Sequence, residues 1–162
     1  MDLGWTFPLL LFLHVLGAIV AFGPTFAFSF IGAAGGAEPQ HANFATRVSH
    51  TISSKLVYPI GITLPITGLG MIAVRRINPF ERPNWWLALG IALYMVAYGY
   101  AFFMQRKDVN RVIELSSAPP PPGAGGPSPE LMTLVGRIQR GGMALGIILV
   151  AIVFLMVVKP TI

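Results

Sequence analysis

The chain contains no cysteine, so disulfides, thiolate metal sites and cysteine nucleophiles are all excluded. It is also poor in charge. Only 10% of its 162 residues are Asp, Glu, Lys or Arg, against about 25% in an ordinary soluble domain. Acids are scarcest, six in all, and each lies outside the apolar stretches. No carboxylate pair is therefore available inside them for acid–base chemistry or for coupling an ion to transport. No phosphate-binding loop, serine triad or HExxH pattern is present. Hydrolysis and phosphoryl transfer are thereby disfavoured.

The abundant component is hydrocarbon, at 54% hydrophobic residues. Four apolar stretches run over about 8–33, 56–74, 86–104 and 142–158. A helix of roughly 20 residues crosses a hydrocarbon core of about 30 Å. The sequence thus predicts an all-α, integral membrane four-helix bundle, with residues 1–162 forming a single membrane domain. The early run lacks the basic region of a signal peptide and is longer than a signal core, so it reads as a retained helix.

The formal net charge of +5 does not indicate nucleic acid. The basic residues flank apolar segments and form no stripe interleaved with aromatics. They read as topology instead. Arg47, Lys55, Arg106, Lys107, Arg111, Arg137 and Arg140 fall on one side, and Arg75, Arg76, Arg82 and Lys159 on the other. Because Lys and Arg favour cytoplasmic loops, both termini are expected on the outer side.

Local signals refine the helices. Gly17, Ala21, Thr25 and Ser29 form a small-residue stripe on helix one, and Gly142 and Gly146 another on helix four. Gly23-Pro24 should bend helix one, and Gly35-Gly36 should end it. Phe44, Val48 and Ile52 carry helical spacing, so helix two should start near Asn43. Pro59 and Pro65 make that helix irregular, with Thr63 and Thr67 placed to bond freed carbonyls. Helix three carries Gly90, Tyr94, Tyr98, Ala101 and Gln105 on one stripe and should continue to about Leu115. Residues 116–128 are rich in proline and glycine and read as a linker. Ser128-Pro129-Glu130 is a helix start. Helices two to four should therefore extend beyond the membrane on the cytoplasmic side, forming a basic cap suited to anionic head groups or a partner protein.

His14 is the only strongly titratable residue inside the apolar stretches. Such residues face a bundle interior and mark function more often than in soluble cores. It is a candidate ligand for haem b or copper, a proton-relay member, or a histidine hydrogen-bonded between helices to a tyrosine or a backbone carbonyl. His50 is expected more than roughly 30 Å away along the membrane normal, so the two cannot share a haem. A haem at His14 needs an open axial position, or a Tyr or Met such as Met71, Met95 or Met104. Tyr94 and Tyr98 are candidate cofactor-binding residues beside it. Their alternative role is packing, with hydroxyls satisfied by a neighbouring helix. His41 and His50 with Glu38 would make at best a weak surface metal site.

The segment Leu9–Ala18, with His14 near its centre, resembles the first helix of copper-resistance-D-like membrane families. The chain more closely resembles the DUF2269 family through His14-Val-Leu-Gly17, Tyr58-Pro59, Thr67-Gly68 and Trp86-Leu87. That resemblance implies a multi-pass protein of the bacterial inner (cytoplasmic) membrane. The broader group implies haem binding through the first-helix histidine, although the further intramembrane polar residues of those relatives have no counterpart here. The residues support two readings. One is a non-enzymatic accessory or scaffold subunit that associates with other membrane proteins in the bilayer. The other is a haem- or copper-binding redox protein centred on His14. A transporter hinged at Pro65 is the weakest reading, because no buried acid exists to couple an ion.

Overall fold

The computed structural model describes residues 4–117 and 126–160. Four helices hold these residues: α1 Thr6–Ala37, α2 Pro39–Arg75, α3 Arg82–Ser117 and α4 Pro129–Val158. There is no strand among the described residues. Each helix is long and apolar enough to span a membrane, as expected. The start of α2, the end of α3 and the N-cap of α4 also follow the sequence signals. Ser128 Oγ accepts the Leu131 N–H at 3.2 Å, with Pro129 in the first turn. Of the expected linker, Ser116 and Ser117 instead close α3, while 118–125 lie outside the described residues.

The α1–α2 turn is a single residue. The helix passes through Gly35-Gly36 and ends at Ala37. Pro39 stops it, because a residue before proline is pushed out of helical geometry. Glu38 accordingly sits at φ −124°, ψ 84°. Gly35 serves close approach: a Cβ there would lie 2.8 Å from the Ala45 Cβ. After so tight a turn the two helices run antiparallel, and facing residues pair about a midpoint near residue 40. Gly35 meets Ala45, Gly17 meets Leu64, and Leu10 meets Gly70.

α2 and α3 each contain a π-wound stretch, Ser53–Val57 and Tyr100–Gln105. In α2 the irregularity precedes Pro59, which has no N–H for the ladder. The Tyr58 N–H reaches back five residues to the Ser53 carbonyl.

At 37 and 36 residues, α2 and α3 measure about 55 Å, far beyond the hydrocarbon thickness. Their surplus forms a cap with the start of α4. Asn43 Nδ2 donates to Ser116 Oγ at 2.8 Å. Arg111 bridges Glu130 at 2.8 Å and Glu114 at 3.2 Å, and Arg137 meets Asp108 at 3.4 Å. The Arg111 pairs are largely exposed and contribute at most about 1 kcal/mol each, while Asp108 is only 16% exposed.

At the other end, α2 finishes in a Schellman turn with Arg76 at φ 51°. The Ile77 N–H bonds the Ile72 carbonyl at 3.1 Å. The Arg75 guanidinium lies 4.2 Å from the Phe7 ring centroid. The buried core is thin: Ala21, Leu64, Ala97 and the α4 residues Leu145, Leu149, Ile152 and Leu155, with Val112 and Leu134 beneath the cap. Large apolar side chains such as Phe12, Ile19 and Phe30 point outward. In a bilayer these need no protein cover, since lipid tails are as apolar as they are.

Candidate functional site

His14 is half-buried and faces α2. Its Nδ1 lies 2.8 Å from the Thr67 Oγ1. Thr67 is the one buried polar residue among those described, 8% exposed. Its hydroxyl also lies 2.9 Å from the Thr63 carbonyl and 3.1 Å from the Leu64 carbonyl. A hydroxyl has one proton, and those carbonyls can only accept. Thr67 therefore donates along its own helix and accepts from His14 Nδ1–H. In the neutral ring this places the proton on Nδ1, and no hydrogen bond engages Nε2 among the described residues. Room for the ring comes from Gly68, where a Cβ would lie 3.4 Å from His14 Cε1.

The sequence places Thr67 to bond carbonyls that proline frees; it bonds instead those of Thr63 and Leu64, while the Gly61 carbonyl freed by Pro65 goes to Tyr94. Its role as the partner of His14 was not legible in sequence. The signal was the antiparallel register centred near residue 40, which sets positions 14 and 67 opposite each other.

Tyr94 and Tyr98 point elsewhere. Pro65 cannot close a bond on the carbonyl four residues earlier, that of Gly61. Tyr94 Oη donates to that carbonyl at 2.6 Å. Tyr98 Oη donates to the Tyr58 carbonyl at 3.0 Å, and Tyr58 Oη donates to the Ala101 carbonyl at 3.2 Å. The tyrosines thus clamp α3 to the proline-broken part of α2. Their α2 partners lie about two turns from Thr67, roughly 9 Å along the axis from Gly61. His14 and the two tyrosines do not form one cluster.

The aromatic face is longer than the sequence stripe suggested. Tyr94 stacks on Tyr98 with centroids 5.9 Å apart, Tyr98 on Phe102 at 6.1 Å, and Arg106 covers Phe102 at 5.2 Å. The wider π turn keeps 98, 102 and 106 in line, in place of the expected 98, 101 and 105.

The surroundings of His14 do not build a metal centre. Among the described residues no three His, Asp or Glu side chains converge. Met95 and Met104 face outward, with more than half of each exposed. With fewer than three His, Asp or Glu side chains together, the imidazole is short of a usual copper set but suffices for a single axial bond to haem. His41 pairs loosely with Glu38 at 3.6 Å, and His50 Nε2 lies 3.3 Å from Ser54 Oγ.

Elsewhere in the span, α1 and α4 leave an open groove of about 360 Å³. Thr25, Phe26 and Ser29 line it from one helix and Gly142, Met143 and Gly146 from the other. The Thr25 hydroxyl has no partner among the described residues. Ser29 Oγ bonds only the Phe26 carbonyl of its own helix, at 3.2 Å.

The family model described as "Predicted integral membrane protein (DUF2269)" matches residues 8–160. The chain belongs to the DUF2269 family. No curated protein matches this DUF2269 chain, and no solved structure does. Its helices are thus those of a multi-pass integral membrane protein, embedded in a lipid bilayer.

Proposed function

We propose that this DUF2269 protein is a non-enzymatic accessory or scaffold subunit that binds a transmembrane helix of another membrane protein. The groove between α1 and α4 carries this reading. It lies between two small-residue faces, the kind of surface that lets helices approach closely. It also holds a hydroxyl with no partner among the described residues, at hydrocarbon depth, where a polar group gains most from a protein neighbour. The interior polar groups of His14, Tyr94 and Tyr98 are, by contrast, engaged in joining the helices. The bacterial inner membrane is the proposed location, with both termini outside and the basic cap in the cytoplasm, by the bias of Lys and Arg.

Purification from native membrane tests this. The wild type should travel with another membrane subunit, and Gly146→Leu, which fills the groove, should release it. A wild-type protein that purifies alone overturns the reading. The alternative, a redox protein holding haem or copper at His14, draws support only from the unengaged Nε2. A stoichiometric Soret band or bound copper, lost in His14→Ala, would establish it in place of the scaffold reading.

A further inference from the structure

A second pocket opens sideways between α2 and α3, away from the α1–α4 groove. It has a volume of about 260 Å³ and is lined by Ser54, Tyr58, Pro59, Ile62, Phe102 and Arg106. Along α2, Ser54 to Ile62 covers roughly 12 Å of helix axis. Ser54 and Arg106 lie at the cap end, and Pro59 and Ile62 lie deeper in the span. The polarity gradient of the pocket therefore runs along the membrane normal. An amphiphile in the bilayer has the same gradient in the same direction. A small soluble anion would have no use for the lower, apolar wall.

Charge points the same way. Arg111 and Arg137 are held by acids within the cap. Arg106 has no acidic partner among the described residues. Its guanidinium lies over the Phe102 ring, which is itself stacked on Tyr98. Stacking fixes the plane of a guanidinium while leaving its N–H edge available to an oxyanion. The Tyr58 hydroxyl is engaged with the Ala101 carbonyl. The Ser54 hydroxyl has a partner too, His50 Nε2 at 3.3 Å, but by accepting from that nitrogen it keeps its own proton for an oxyanion. Both π-wound stretches border the pocket, Ser53–Val57 containing Ser54 and Tyr100–Gln105 containing Phe102. Single π turns recur at functional sites.

We propose that this pocket binds an anionic phospholipid. The phosphate sits on Arg106 and Ser54, and an acyl chain lies along Pro59, Ile62 and Phe102. Basic pockets between transmembrane helices are a recurrent way of holding such head groups.

The test is lipid binding to the purified, delipidated full chain in neutral detergent, followed by native mass spectrometry. Phosphatidylglycerol, phosphatidylcholine and inorganic phosphate are the probes. Phosphatidylglycerol should bind in preference to phosphatidylcholine, and inorganic phosphate should not displace it. Arg106→Gln should weaken phosphatidylglycerol about tenfold, as expected for loss of one charge-assisted contact. Lys107→Gln, one residue along and outside the pocket, should change binding less than about twofold. Ile62→Trp narrows the apolar wall at an exposed position without altering charge, and should also weaken binding. Equal binding of the two lipids would reduce the pocket to an apolar groove and overturn the proposal. Equal losses from Arg106→Gln and Lys107→Gln would mean diffuse attraction to the cap, with the same consequence. Displacement by inorganic phosphate would make it a free-anion site and overturn the lipid assignment.

Discussion

One small-residue stripe on α1 has two different fates. In its His14 half, Gly17 lies against α2, where a Cβ would already be 3.2 Å from Leu64 Cδ2. Ala21 beside it is fully buried. In its Thr25–Ser29 half the stripe borders an open groove, and across it a Cβ on Gly146 would meet nothing within 4 Å. Small residues permit approach, but they do not cause it. The closed half faces α2, which the one-residue turn ties to α1 and the His14–Thr67 bond holds in register. The open half has neither, since α4 arrives from the far end of the chain with no polar bond to α1 among the described residues.

The largest test of that contrast is a matched pair of substitutions. Gly17→Leu should force α1 from α2 and lower stability by about 2–3 kcal/mol, as overpacking does. Gly146→Leu should leave the stability of the isolated chain within about 0.5 kcal/mol. Thermal melting in detergent distinguishes them, and equal losses would erase the distinction between the halves. A smaller effect sharpens the closed half. Thr67→Val removes the acceptor for His14 Nδ1–H and should cost about 1 kcal/mol. Nitrogen NMR of the His14 ring should then lose its single-tautomer signature. The smallest effect concerns the clamp on α2. Tyr94→Phe should cost about 0.6 kcal/mol, the average for an interhelical bond in a membrane. In a Pro65→Ala background, where residue 65 regains an N–H for the Gly61 carbonyl, most of that cost should vanish. A cost unchanged by Pro65→Ala would mean that Tyr94 acts by packing alone.

The bundle was legible in sequence because hydropathy and length act locally. Each apolar run is long enough to identify its own helix, and Ser128-Pro129-Glu130 announces a helix start without reference to any neighbour. Gly35 shows where such reading stops. A glycine pair near a helix end suggests termination, yet Gly35 is needed because Ala45 approaches it from the next helix. The polar residues follow the same division. His14 was recognisable from the cost of placing it in hydrocarbon, but its partner depends on the register between two helices. Tyr94 was recognisable as a polar handle. Its target is predictable only by asking which carbonyl Pro65 leaves open, and which helix passes near enough to fill the gap.

The bond from Tyr94 to the Gly61 carbonyl also bears on how the chain is made. α2 emerges from the ribosome before α3, carrying a backbone acceptor that its own helix cannot serve. Until Tyr94 arrives, that acceptor must stay hydrated or beside the insertion machinery, because exposure to lipid alone is costly. The two helices are therefore expected to leave the translocon together as a hairpin. A nascent chain truncated at Arg76 and followed by a linker long enough to clear the ribosome should hold α2 at the translocon, and one truncated past Gln105 with the same linker should release it.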